Sequence, residues 1–249
     1  MQKSIIILTK TPEQSVFDAI DSWIEKGYSV LVVSCIDYYL DAYLYKGYNA
    51  INSEQFFSLK NMRFTLAIGN PPYGTGGNLA IKFLNKTSEL TDDIRFVLPT
   101  SVRKPSSLNK ISPNIDVSED KDLDPKTFPN GISAVYQRWV KTDTPRKKIQ
   151  LLNKHPDFEF LPYERRFEAD VFVGEYGCGP SGRVKTENFT HYAKGHHFLK
   201  VRTPEVIQNL VDFSPRFREV ANQCNGRYHF GKNDLITTYM ECLSEKEQA

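Results

Sequence analysis

Hydrophobic positions in the first hundred residues follow two alternating spacings. Runs of adjacent aliphatic residues, as in Ser4–Thr9, are typical of buried strands, whereas Val16, Ile20 and Trp23 recur at helical spacing. The predicted strands are 4–9, 28–36, 49–51, 63–69 and 94–98, and the predicted helices are 12–26, 38–45 and 79–87, with a turn or short helix at 54–59. This order predicts an α/β fold whose open, mostly parallel sheet carries helices on both faces.

Beyond residue 100 the pattern changes. Residues 103–107 and 118–124 lack an apolar period, which predicts loops, and 134–140 is predicted to form a strand. The polar, basic segment 142–148 is predicted to be a linker, and helices are predicted at 204–210, 215–222 and 233–242, the last capped by Asn233. We therefore predict a larger domain over 1–145 and a smaller α+β region over 146–249.

Composition narrows the protein class. With 40% hydrophobic and 25% charged residues among 249, the chain is typical of soluble globular proteins rather than collagen-like or disordered ones. No apolar run approaches the ~18 residues of a membrane span, and the first is too short for a signal peptide. The net charge of +2 means that any DNA-binding surface must be local. The widely spaced cysteines are expected to be reduced thiols of a cytoplasmic protein without a metal site: Cys35, Cys178, Cys224 and Cys242.

The segment Asn70-Pro71-Pro72-Tyr73, hereafter the NPPY motif, directly follows the predicted strand 63–69. Two prolines end a strand and fix φ near about −65°, which orients the Asn side chain and the following carbonyl. Ligands of open parallel sheets bind at the carboxyl ends of the strands. The motif is therefore predicted to bring two hydrogen-bond acceptors and an aromatic ring to a ligand site. A turn without function is the alternative, since Asn and Pro favour turns.

The NPPY motif, with Ile68-Gly69 before it and Gly74 after it, resembles the catalytic motif of S-adenosylmethionine-dependent amino-methyltransferases. The resemblance is strongest to enzymes that methylate N6 of adenine in DNA. Residues 96–101 resemble the strand and loop that follow the catalytic helix, and 128–131 with 134–140 resemble the closing hairpin. The resemblance spans residues 4–140 and implies a Rossmann-like methyltransferase fold, S-adenosylmethionine as cofactor, no metal, and double-stranded DNA as partner.

The resemblance also implies roles for the motif. An exocyclic amino group is a poor nucleophile, because its lone pair is delocalised into the ring. The Asn70 side-chain oxygen and the Pro71 carbonyl would accept its two hydrogens as preorganised dipoles, with Pro72 fixing the corner. Tyr73 would stack on a base extruded from the duplex, an interaction worth about 1–3 kcal/mol.

The cofactor half of the family pattern is altered. The family carries a glycine-rich turn after the first strand, whereas residues 9–13 contain no glycine, and a turn with side chains cannot approach a ligand as closely. The implied cofactor-binding residues are Thr9, Thr11, Asp37, Ser53, Glu54 and Asn70. Asp37 would accept ribose hydroxyl hydrogens, with a helix N-cap as its alternative role. Ser53 and Glu54 would lie near the adenine ring, or form a solvated turn.

A glycine-rich stretch at 170–182 superficially resembles a cofactor turn that some relatives place after the catalytic motif. No helical pattern follows it, so we favour a recognition loop or a tight structural turn.

Basic and aromatic residues are concentrated between 183 and 202, where five Lys or Arg accompany one acid. Phosphate contact and base stacking require these residue types, although a solvated basic surface is the alternative. The candidate nucleic-acid-binding residues are Arg103, Lys104, Arg165, Arg166, Arg183, Lys185, Lys194, His196, Lys200 and Arg202. Arg103 and Lys104 would hold phosphates beside the extruded adenine.

These expectations favour a site-specific adenine DNA methyltransferase of a bacterium or phage, of the restriction-modification type, with a C-terminal target-recognition region. The altered cofactor turn leaves a second function open, a catalytically inactive methyltransferase-like protein that binds DNA or a partner. RNA or a protein glutamine remain alternative substrates, and a homodimer or a partner subunit remains open.

Overall fold

The computed structural model describes residues 3–124, 126, 128, 133–177, 181–222 and 229–248. The chain divides into two compact units, Met1–Ile149 and Gln150–Ala249. The predicted linker at 142–148 belongs to the first unit, because the Arg146 guanidinium donates hydrogen bonds to the carbonyls of Leu108, Ile111 and Ser112. The boundary therefore lies after residue 149 rather than 145.

The first unit contains a seven-stranded sheet of order β3-β2-β1-β4-β5-β7-β6. The strands are β1 Ser4–Thr9, β2 Ser29–Ser34, β3 Ala50–Asn52, β4 Leu66–Gly69, β5 Asp93–Pro99, β6 Ile115–Asp122 and β7 Ala134–Lys141. The first five strands pair in parallel, and β7 runs antiparallel to both β5 and β6. The predicted α/β class with a mostly parallel sheet is confirmed.

Helices cover both faces of this sheet. They are α1 Gln14–Glu25, α2 Leu40–Tyr45, α3 Ser53–Ser58, α4 Asn78–Ser88 and α5 Pro105–Leu108. Alternate residues of β1 enter different cores, because successive side chains of a strand point to opposite faces. Ile6 packs in the core that contains Phe56 of α3, and Ile5 in the core that contains Phe17 of α1. Burial on both faces explains the continuous apolar runs that predicted these strands.

The loop predicted at 118–124 is wrong, since its first five residues belong to β6. This strand lies at the edge of the sheet, and among the described strands it pairs with β7 alone. Its residues Ser118, Asp120 and Asp122 are exposed, and Glu119 is half-exposed. Edge strands commonly carry charges, which removes the apolar alternation on which sequence prediction depends.

The second unit contains a four-stranded antiparallel sheet of order β10-β9-β11-β8. Its elements are β8 Phe158–Leu161, β9 Val171–Val173, β10 Val184–Lys185, β11 His197–Val201, α6 Pro204–Asp212, α7 Ser214–Asn222 and α8 Lys232–Gln248. Phe158 and Leu199 of the sheet share a core with Leu210, Phe217 and Tyr239 of the helices. The predicted α+β class of this region is confirmed.

The predicted Asn233 cap is wrong. Helix α8 begins one residue earlier, and the Asn233 side-chain oxygen accepts a hydrogen bond from the Leu152 amide at 2.8 Å. The side chain therefore fastens the chain before β8 to the start of α8.

The glycine-rich stretch is described on either side of residues 178–180. A Cβ at Gly182, where φ is +68°, would lie 2.6 Å from the Phe217 carbonyl oxygen, so only glycine allows α7 to pack this closely. This contact favours the tight structural turn. Cys178, Cys224 and most of the predicted hairpin at 128–131 lie outside the described residues, while Cys35 and Cys242 are free thiols. Among the described helices, none is long and apolar enough to cross a membrane.

Candidate active site

The NPPY motif begins where β4 reaches the carboxyl edge of the sheet. The Asn70 amide donates a hydrogen bond to the Leu8 carbonyl of β1 at 3.2 Å, which holds the motif beside the end of β1. A Cβ at Gly69 would lie 2.3 Å from the same oxygen, so glycine is required there. The parallel register brings Thr9 opposite Ser34, and Ser34 opposite Asn52, so the ends of β1, β2 and β3 share this edge.

The residues of the motif differ in exposure. Asn70 is exposed, Pro71 is buried and Pro72 is half-buried. Within the described part of the chain, the Asn70 side chain forms no hydrogen bond. The buried Pro71 fixes the backbone at this corner. The side-chain amide of Asn70, the residue before it, is exposed and can contact a ligand.

Tyr73 joins the motif to α4 and to the core. Its carbonyl accepts hydrogen bonds from the amides of Leu79 and Ala80, in the first turn of α4, at 3.1 and 3.4 Å. The half-buried ring packs against the core, and its hydroxyl is buried without a partner among the described residues. Burial raises the pKa of Tyr73 to about 12, so the phenol is neutral at physiological pH. Base stacking on this ring stays a prediction.

The loop after β5 lies against the turn that follows the motif. This turn, Thr75–Gly77, places Gly77 against Pro99 and Ser101. The structure thus brings together the NPPY motif and 96–101, two of the segments that carry the resemblance.

The turn after β1 is closed by hydrogen bonds inside the protein. Thr9 is only 6% exposed, and its hydroxyl shares a hydrogen bond of 3.1 Å with the buried Tyr43 hydroxyl. The Thr9 carbonyl accepts from the Cys35 amide at 2.9 Å, and the Thr11 hydroxyl donates to Glu13 at 3.0 Å. Little of the Thr9 side chain is left for a cofactor to contact.

The ends of β2 and β3 present carboxylates to solvent. Asp37 is exposed and opens the 3₁₀ turn Asp37–Tyr39. The N-cap position of that turn is Ile36, so the alternative role of Asp37 as a cap is wrong. Glu54 is exposed in the first turn of α3, and the Ser53 hydroxyl donates to the Cys35 carbonyl at 3.4 Å.

Two features of this edge were missed in the sequence. Asn52 and Gln55 form a capping box at the start of α3, a feature that the Asn-x-x-Gln spacing could have indicated. Burial raises the pKa of the Cys35 thiol to about 12, which keeps it protonated. Its position at the end of β2 was visible in the sequence, but its burial was not.

Arg103 has carboxylate partners instead of an open guanidinium. It donates to Asp120 and Asp122 of β6, each at 2.6 Å. The hydrogen bonds with Asp120 contribute most to raising the pKa of Arg103 further above its usual range. Phosphate contact by Arg103 stays a prediction, and it requires exchange of these carboxylates. Lys104 is half-buried next to it.

Most of the predicted nucleic-acid-binding residues of the second unit are also engaged. Arg165 pairs with Glu168 at 2.6 Å, and Lys200 pairs with Asp170 at 2.8 Å. Weaker or uncharged contacts hold three others: Lys194 lies 4.0 Å from Glu164, Lys185 lies over the Tyr192 ring, and Arg166 lies over the Tyr163 ring and donates to the Thr190 carbonyl. The segment 183–202 is therefore not one uniformly available cationic surface.

His196, Arg183 and Arg202 complete the predicted set. The His196 ring stacks on Tyr176 at 4.3 Å and accepts the Glu175 amide hydrogen at 3.1 Å. Burial lowers the pKa of His196, which favours the neutral ring over a cation. Arg183 and Arg202 are exposed and form no ion pair with any described residue.

No family model and no curated protein matches the chain. Among solved structures it is similar to a putative methyltransferase from Thermoplasma acidophilum, with 14% identity, 59% of this chain and 72% of that chain covered, and a TM-score of 0.41. It is similar to a putative class I S-adenosylmethionine-dependent methyltransferase from Listeria monocytogenes, with 14% identity, 59% and 57% coverage, and a TM-score of 0.44. The 23S rRNA methyltransferase ErmE gives 12% identity, 59% and 65% coverage, and a TM-score of 0.41. These likenesses concern the fold alone.

Proposed function

We propose that the protein transfers a methyl group from S-adenosylmethionine to the N6 amino group of adenine in DNA. The supporting observation is the position of the NPPY motif at the carboxyl edge of a parallel sheet, with Asn70 exposed beside the end of β1. Ligands of open α/β sheets bind at this edge.

The residues at the neighbouring strand ends fit a cofactor with ribose and adenine groups. Asp37 is an exposed carboxylate after β2 that would accept ribose hydroxyl hydrogens, and Glu54 is an exposed carboxylate after β3 that would face the adenine ring. When bound, the cofactor would supply an electrophilic methyl group. The turn after β1 would contribute through its backbone and Thr11, since the Thr9 side chain faces inward.

The motif would prepare the amino group for attack. The Asn70 side-chain oxygen and the Pro71 carbonyl would accept the two hydrogens of the amine, which localises its lone pair on nitrogen. Tyr73 cannot act as the base, because its pKa near 12 keeps it protonated. The proton that N6 loses after the transfer would pass to water.

The proposal is tested with methyl-labelled S-adenosylmethionine and unmethylated DNA, followed by nucleoside analysis. We expect N6-methyladenine from the wild type and from the control Asn49→Ala, an exposed Asn before β3, but not from Asn70→Ala. Full labelling by Asn70→Ala would contradict the role of the motif. Parallel incubations replace the DNA with RNA or with protein, and label found only in RNA or in protein glutamine would move the proposal to that substrate.

One observation favours a second function, a methyltransferase-like DNA-binding or partner protein without activity. The turn after β1, where the family has its glycine-rich turn, is closed by the hydrogen bond between the Thr9 and Tyr43 hydroxyls. Calorimetric titration with S-adenosylmethionine distinguishes the two functions, since the second predicts either no binding or a dissociation constant in the millimolar range.

A further inference from the structure

We propose that a cationic cleft of the second unit, formed by Lys154, Arg202 and Lys232, binds the phosphodiester backbone of a nucleic-acid strand. The choice of nucleic acid rests on the proposed function, whereas the cleft itself rests on the geometry and charge of these three residues. Only Arg202 belongs to the basic segment found in the sequence.

Three separate elements bring the cations to the cleft. Lys154 precedes β8, Arg202 follows β11, and Lys232 is the first residue of α8. All three line one open cavity of about 550 Å³, a volume within the range of ligand-binding clefts. Convergence of residues this distant in sequence depends on the fold and not on a local run of charge.

The cleft retains its positive charge. None of its three cations forms an ion pair with a described residue. In contrast, Arg165, Lys200 and Arg216 of the same unit each lie within 3 Å of an acid.

Two other titratable residues line the cleft, and neither neutralises it. Glu159 lies 3.7 Å from Arg165, which shares its charge. Burial lowers the pKa of His155, which favours its neutral form. The cleft lining therefore carries three positive charges and one shared negative charge, and the Asp157 carboxylate, outside the lining, lies 3.8 Å from the His155 ring.

Phe160 positions a cation instead of stacking on a base. The Lys232 ammonium lies 4.7 Å from the centre of the Phe160 ring. The ring also packs edge to face with Phe158 and His197, at 5.6 and 5.4 Å. With its ring engaged in this way, the cleft offers phosphate contacts, which carry no sequence information.

The test measures binding of the full chain to fluorescent duplex DNA by anisotropy, over a range of salt concentrations. We expect the triple variant Lys154→Gln, Arg202→Gln, Lys232→Gln to bind at least about tenfold more weakly at low salt. The slope of log K against log salt should become shallower by about 0.9 for each phosphate that the variant no longer neutralises. The loss of affinity should be equal for DNA of unrelated sequence.

The matched control removes the same charge from paired positions outside the cleft lining, in Arg63→Gln, Lys121→Gln, Arg216→Gln, whose partners are Asp92, Glu119 and Glu219. We expect it to keep nearly the wild-type slope. Lys154→Arg with Lys232→Arg preserves charge and should retain binding. Thermal unfolding verifies folding, and the single variant Arg202→Gln, at an exposed site, provides the same slope measurement should the triple variant unfold.

An unchanged slope in the cleft variants, or an equal loss of affinity in the control, would overturn the proposal. A mononucleotide such as dAMP serves as the second probe. If the cleft variants lose dAMP binding but keep DNA binding, the cleft is a nucleotide site and the strand proposal is wrong. The labelling assay reports on methyl transfer separately: wild-type DNA binding through the cleft without methylation would overturn only the proposed function.

Discussion

The ends of β4 and β1 lie side by side at one edge of the sheet, yet one is open and the other is closed. After β4, a buried proline holds an exposed Asn70 without a hydrogen-bonding partner in the described structure. After β1, Thr9 is buried and hydrogen-bonded to Tyr43. For the proposed methyl transfer, the comparison separates two requirements, since the open end would suit a substrate amine and the closed end would restrict how a cofactor can bind.

The largest expected effect comes from the open end. Asn70→Ala should lower kcat by about 10²–10³-fold, as for loss of one preorganised hydrogen-bonding group, with a change in unfolding free energy below about 0.5 kcal/mol. Asn70→Asp should retain more activity than Asn70→Ala, because a carboxylate also accepts hydrogen bonds. Single-turnover methylation and denaturant unfolding measure the two quantities. Equal activity of the two variants would contradict an acceptor role.

The contact between the two ends can be broken by Gly69→Ala. Its Cβ would lie 2.3 Å from the Leu8 carbonyl oxygen, so we expect a destabilisation of about 3 kcal/mol or more. The control is Gly47→Ala, where no atom lies within 4 Å of the added Cβ and only the positive φ costs about 1–2 kcal/mol. Urea unfolding compares them, and similar losses of stability would disprove the close approach of β4 to β1.

The closed end is examined by Thr9→Val. Loss of the shared hydrogen bond leaves the Tyr43 hydroxyl buried and unsatisfied, which should destabilise the protein by about 2 kcal/mol. Cofactor affinity should change little, because the Thr9 side chain faces inward. A large loss of affinity in calorimetry, without loss of stability, would show that the side chain contacts the cofactor.

The proposed contact between the cofactor ribose and the carboxylate after β2 is tested by Asp37→Asn. We expect about tenfold weaker binding of S-adenosylmethionine, corresponding to loss of a charge-assisted hydrogen bond, with little change in thermal unfolding because Asp37 is exposed. Asp41→Asn, on α2, is the matched control with an exposed carboxylate. Equal affinities of the two variants in calorimetry would remove Asp37 from the site.

The smallest effect is expected from Tyr73→Phe. Removal of a buried hydroxyl without a partner should stabilise the protein by about 1 kcal/mol at pH 7. The folded pKa of Tyr73 is raised to about 12, so wild-type stability is retained below the unfolded value near 10 and falls as the pH rises from 10 towards 12. Tyr73→Phe should lack the part of this loss of stability that comes from ionisation of Tyr73. Urea unfolding of wild type and variant, at pH 7 and between pH 10 and 12, checks the sign of the stability change.

The sequence predicted the regions whose folding depends on local patterns. Strands β1 and β2 are buried on both faces, so their apolar runs identified them, and the prolines of the NPPY motif marked the end of β4. Contacts between distant residues could not be predicted in this way. The ion pair of Arg103 with Asp120 requires an acidic edge strand that lacks apolar alternation. The closure of Thr9 by Tyr43 joins residues 34 positions apart.

The attachment of residues 142–149 to the first unit determines where that unit can be cut. A chain ending at residue 145 would lose the Arg146 guanidinium and leave the carbonyls of Leu108, Ile111 and Ser112 without this donor. It would also lose the Ile149 backbone, which exchanges two hydrogen bonds of 2.8 Å with the Asn109 side chain. Expression of the isolated unit should therefore use a fragment that extends through Ile149, because the shorter fragment would lose these hydrogen bonds at the end of α5 and along the segment that follows it.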